Sequence, residues 1–129
     1  TGPDYPPAPS PGAVLDAYSE ILSARDTRPN LTIYTPETQR LLAERLVTPA
    51  QQDSEYRSLS SQRPMARFVE SDSAAVALFD AAFMPPYFFR RGVGGWMLDL
   101  ATPSQTIRFD YDNRWFFVEL PAAYSFAFE

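Results

Sequence analysis

Apolar positions in the first half of the chain recur at spacings of three and four. Val14, Tyr18, Ile21 and Leu22 fall on one helical face, and Ser10-Pro11 before them offers an N-cap with proline at the first helical position. The spacing predicts a helix from about Pro11 to Arg25, ended by Asp26–Asn30 with its Pro29. Leu31–Tyr34 reads as an apolar connector to Thr35-Pro36-Glu37, where a second helix starts and carries Leu41, Leu42, Arg45 and Leu46. Thr48-Pro49-Ala50-Gln51 repeats that start signal as a capping box, and a third helix runs on through Tyr56 and Leu59.

Beyond Ser60–Pro64 the period changes to two. Met65–Glu70 and Ala74–Asp80 form a hairpin around Ser71-Asp72-Ser73, with Phe68, Val76 and Leu78 as core positions. Pro85-Pro86 breaks the sheet pattern. Tyr87–Arg91 and Trp96–Leu100 then pair across Gly92-Val93-Gly94-Gly95, followed by a helical turn at Thr102-Pro103-Ser104-Gln105. Ile107–Tyr111 turns back at Asp112-Asn113 onto Trp115–Leu120, and the tail Tyr124–Glu129 is expected to add an edge strand. The fold class expected is α+β: about three N-terminal helices packed on a curved, mostly antiparallel sheet of four to six strands. Residues 13–129 form one domain, and residues 1–12, with five prolines, form an extended tether.

Composition narrows the chemistry more than the motifs do. The chain of 129 residues has no Cys and no His, and all 11 basic residues are Arg, so thiol, imidazole and Schiff-base chemistry are excluded, as are Cys or His metal sites. Arg-only usage with abundant Ala and Pro points to a G+C-rich, bacterial genome. The net charge of -5 argues against nucleic acid as a partner, and no apolar run approaches the roughly 20 residues that cross a bilayer. A start at Thr1 without Met, inside a Pro-rich segment, reads as a cut downstream of something, by processing or by design; the expected location is extracytoplasmic, tethered to the cell envelope.

Four side chains qualify for acid/base or hydrogen-bonding roles: Asp99, Asp110, Tyr87 and Tyr111. Strand parity puts Asp99, Arg108 and Asp110 on one face if their strands are neighbours, and a row of surface ion pairs is the plainer reading. The Gly-rich loop is followed by strand, so it reads as a hairpin turn. Asp110-Tyr111-Asp112-Asn113 lacks the Gly and Glu of a calcium loop, and no metal or cofactor is expected.

Aromatic residues are the feature in excess. Phe88-Phe89 and Phe116-Phe117 each put a ring on both faces of a strand, so both faces are covered or an apolar patch is exposed. Extra cover could come from the tail or from a second copy. Phe88, Phe89, Arg90, Trp96, Phe109, Trp115 and Phe117 are the candidate ligand or interface residues, for an apolar small molecule or a protein segment. Only one of Arg90 and Arg91 can serve a given pocket.

Three short stretches resemble the NTF2-like, cystatin-like α+β domains of small secreted or lipid-anchored bacterial proteins. They are Ala13-Val14-Leu15-Asp16-Ala17-Tyr18, Tyr34-Thr35-Pro36-Glu37 and Gly94-Gly95-Trp96-Met97-Leu98-Asp99, within Pro11–Leu100. The resemblance implies a cone-shaped sheet around the first helix, often with a pocket. It covers both enzymes and binding modules, so fold does not assign function. Two departures stand out: the Asp-His pair of some enzymatic members cannot form here, and the segment after Leu100 is longer than usual. The expectation is a non-enzymatic accessory or binding domain. A carboxylate-dependent isomerase, dehydratase or hydrolase and a homodimerisation module stand as alternatives.

Overall fold

A computed structural model describes residues 2–129 and divides them into helices first and sheet afterwards. Three helices open the chain: α1 (Pro11–Ser23), α2 (Pro36–Glu44) and α3 (Pro49–Gln62). Each begins as its cap residue dictates. The Ser10 hydroxyl accepts from Ala13 N–H, Thr35 from Thr38 N–H, and Thr48 from Gln51 N–H, while the Gln51 side chain accepts from Thr48 N–H. α1 ends two residues before the expected Arg25, whose φ of 54° turns the chain.

The strands β1 (Arg67–Glu70), β2 (Ala74–Leu78), β3 (Tyr87–Gly92) and β4 (Gly95–Asp99) form one curved antiparallel sheet in sequence order. The register places Ala75, Phe89 and Leu98 in one row and Val76, Phe88 and Asp99 in the next. Side chains alternate across a strand, so these rows face opposite sides. The first row packs against Val14, Leu15, Tyr18 and Ile21 of α1 in the main core. The second packs against Tyr124 and Ile107.

That outer layer is where the tail departs from expectation. Residues Ala122–Phe128 form a 3-10 helix, not an edge strand, and Tyr124 from it stacks on Phe88 with ring centroids 4.6 Å apart. Phe88 and Phe89 are both fully buried, one on each face, so this chain covers both sides of its own sheet. A short helix α4 (Ala101–Thr106) links β4 to a separate hairpin of β5 (Ile107–Phe109) and β6 (Trp115–Phe117). Thr102 lies inside α4 and does not cap it. The Asp99 carboxylate does, accepting from Thr102 N–H at 3.0 Å and Thr102 Oγ1 at 2.6 Å.

The Pro-rich segment, expected to be an extended tether, is laid along the domain as far back as Pro3. Ala8 exchanges both backbone hydrogen bonds with Trp96 (2.9 and 2.7 Å), Tyr5 C=O accepts from Ile33 N–H, and Pro3 C=O accepts from Arg28. Tyr34 bridges Leu98 in parallel along the same strand. The outer edge of β4 is thereby closed at Trp96 and at Leu98, which removes unpaired N–H and C=O groups that would invite another strand.

Candidate functional site

A cavity of about 460 Å³ opens between α1, α2, α3, the start of β3 and α4. Its walls are apolar where Ile21, Leu22, Leu42, Leu100 and Ile107 contribute, and phenolic where Tyr18, Tyr34 and Tyr87 do. The size suits a small molecule.

The cavity's chemistry comes from one face of α3. Gln52, Glu55 and Leu59 follow at spacings of three and four, so they share the face turned to α1 and β3. Leu59 and Gln52 are buried, and Glu55 is half-buried. Both oxygens of the Glu55 carboxylate accept a phenol proton: Tyr18 donates to Oε1 at 3.0 Å and Tyr87 to Oε2 at 2.6 Å. Tyr18 and Tyr87 meet edge to face, with centroids 5.9 Å apart, so one carboxylate joins two rings that also pack on each other.

Burial pushes the Glu55 carboxyl above its ordinary value, and the two phenols oppose that rise without cancelling it. The phenols respond in kind: burial first, then the Glu55 charge, lifts Tyr18 and Tyr87 well above the usual range. Tyr34 is also raised, mainly by burial. All three therefore stay protonated, as donors, at neutral pH.

Gln52 carries the one buried side-chain polar atom without a hydrogen-bond partner among the described residues, its Oε1. The Gln52 Nε2 donates to Asp26 C=O at 2.9 Å, which decides which end of the amide is which. Asp26 and Arg28 also line the cavity, but they hold each other. Arg28 donates to both Asp26 oxygens, at 3.0 Å from Nε to Oδ1 and 2.6 Å from Nη2 to Oδ2, and this pairing draws the Asp26 carboxyl below its ordinary range.

Among the residues singled out from the sequence, Tyr87 and Phe109 line this cavity. Asp99, Asp110 and Tyr111 do not. Asp99 is buried on the other face of the sheet, where Tyr124 Oη donates to its Oδ2 at 2.7 Å and Arg90 lies 3.9 Å away. Asp110 is exposed and accepts from Asp112 N–H and Arg114 N–H, shaping the β5–β6 turn, and Tyr111 is almost wholly exposed beside it. β4 and β5 belong to different sheets, so Asp99, Arg108 and Asp110 form no common row, and Arg108 donates to the Ser104 and Ile107 carbonyls.

The aromatic candidates divide the same way. Phe88, Phe89 and Trp96 are core residues, and Trp115 and Phe117 pack beneath the tail, with Phe128 5.0 Å from Phe117. Arg90 stacks on the Tyr124 ring, and Arg91 on Trp96, on opposite faces as adjacent strand residues must be.

Gln52 and Glu55 were not singled out from the sequence. A signal for them exists: Pro49–Gln62 contains a single large aliphatic residue, Leu59, so a packed α3 has to bury polar side chains beside it. No known family model, curated protein or solved structure matches this chain. Among the described residues, no helix is long and apolar enough to cross a membrane.

Proposed function

We propose that this chain is a small-molecule-binding domain whose ligand occupies the cavity between α1, α3 and the start of β3. The observation that carries the reading is Glu55: a carboxylate inside a mainly apolar cavity of ligand size, held in one orientation by Tyr18 and Tyr87. Burying a carboxylate costs free energy, and such groups concentrate where a ligand uses them. The accessory role in a bacterial envelope expected from composition and from the NTF2-like pattern belongs to the same reading.

Amide chemical-shift mapping of the whole chain against a library of small apolar and amphipathic molecules tests it. Expected are shifts centred on Tyr18, Gln52, Glu55 and Tyr87, abolished by Val47→Trp, which fills the cavity from a partly exposed wall position. Shifts confined to other surfaces would overturn it.

A second reading, general acid/base catalysis, is favoured by the raised Glu55 carboxyl beside a phenol donor. Glu55 would then carry the proton, the base role expected from the sequence for Asp99 or Asp110, and Tyr87 would hold the Glu55 carboxylate in place. Under this reading Glu55→Gln keeps ligand binding and loses turnover. Turnover that survives the change would remove Glu55 from the chemistry.

A further inference from the structure

Resting on the cavity reading, we propose that the ligand is an organic cation: a primary or secondary ammonium group carried on a compact apolar body. The acceptor capacity open to a ligand is that of Glu55, which is half-buried and lines the cavity; the Gln52 amide oxygen beside it is sealed from solvent. Gln52 Oε1 is buried without a donor, while its Nε2 is committed to the Asp26 carbonyl. Glu55 lies one helical turn further along α3, on the same face, and each of its oxygens takes a single phenol. A carboxylate has about four lone-pair sites, so two remain for a ligand.

An ammonium group fits this set because it brings up to three N–H donors and the countercharge that a buried carboxylate lacks. A neutral donor would leave Glu55 without a counterion. An anion would meet Glu55 directly, and the Arg28 that could attract it already binds both Asp26 oxygens. Arg45 also lines the cavity, but it is exposed, where solvent and salt weaken its pull. The remaining groups do not oppose the choice: the Ser104 hydroxyl donates to the Ala101 carbonyl, and the Tyr34 hydroxyl can accept as well as donate. Ile21, Leu22, Leu42 and Ile107 supply the wall for an apolar body.

The test compares three probes of similar size on the whole chain at pH 7.5: 2-phenylethylammonium, 2-phenylethanol and 3-phenylpropanoate. Calorimetry gives affinity, and amide shifts give location. The ammonium probe is expected to bind about tenfold or more tighter than the alcohol, the factor a charge-assisted hydrogen bond supplies, with shifts at Gln52 and Glu55. Glu55→Gln is expected to reduce the ammonium affinity to that of the alcohol.

Should the alcohol or the propanoate bind as tightly as the ammonium, with shifts in the cavity, the cavity reading stands and the cation is wrong. Should none of the three shift the cavity residues, both fall. An ammonium preference that survives Glu55→Gln also overturns the inference, and if that variant unfolds, the unaltered chain decides: the preference must fall at pH 4, where Glu55 is protonated, and one that is unchanged there overturns the inference.

Discussion

The Tyr87 hydroxyl lies 2.6 Å from Glu55 Oε2, although 32 positions separate the two residues in the chain. The bond ties the start of β3 to the middle of α3 through a charge. Removing the donor takes one of the two phenol hydrogen bonds from the half-buried carboxylate, so Tyr87→Phe is expected to cost about 1–3 kcal/mol at pH 7. The loss should shrink where Glu55 is protonated, because a neutral carboxyl needs the donor less. Urea unfolding at pH 7 and pH 4 checks both statements, and an equal loss at the two would show that charge is not involved.

Glu55 and Asp26 shape the stability curve with opposite signs. Burial raises the Glu55 carboxyl in the folded state, so its contribution is complete below its ordinary value of 4.5 and is lost as pH rises through the folded value. Bonding to Arg28 lowers Asp26, so its contribution is present above its ordinary 3.8 and is lost as pH falls through the depressed value. Thermal midpoints measured across this range should therefore decline on both sides. Glu55→Gln should flatten the rising-pH side alone and leave the acid limb in place.

Tyr124 covers Phe88 and donates to buried Asp99. Tyr124→Ala removes the ring and opens the outer face of the sheet, at an expected cost of about 3–5 kcal/mol. Tyr124→Phe keeps the ring and removes one of the hydrogen bonds to Asp99, which retains those from Thr102, at about 1–3 kcal/mol. Chemical denaturation ranks the two, and a negligible effect of Tyr124→Ala would mean that the tail does not cover the sheet.

Gly95 has φ of 133°, and a Cβ there would lie 2.7 Å from the Ala8 carbonyl oxygen. Gly95→Ala is expected to destabilise by about 1 kcal/mol or more through backbone strain and to push the Pro-rich segment off β4. Hydrogen exchange at the Ala8 and Trp96 amides should then accelerate. Gly94→Ala is the control, since its nearest contact, Pro7 Cγ at 3.5 Å, is ordinary packing. Unchanged protection at Ala8 in the Gly95 variant would argue against a seated N-terminal segment.

The parts legible in advance were those decided within a few residues. Ser10, Thr35 and Thr48 start helices because a short side-chain oxygen reaches an N–H two or three positions on, whatever surrounds it. Adjacent Phe88 and Phe89 had to face opposite sides because a strand alternates. Periodicity alone therefore determined an α+β chain with helices first, and a sheet needing cover on both faces.

What covers the second face, and what enters the cavity, was decided only by tertiary structure. Phe126 and Phe128 alternate as a strand would, but the tail rests on the sheet face as a 3-10 helix, where both rings pack with Tyr124 over Val76 and Phe88. Glu55 looks like any solvated helix carboxylate until α1 and β3 bring Tyr18 and Tyr87 to it. Asp99, one strand away from Phe88, looks exposed until Tyr124 closes over it. Local rules assign backbone conformation and parity; the burial of a charge depends on groups far apart in the chain, and no local pattern encodes their meeting.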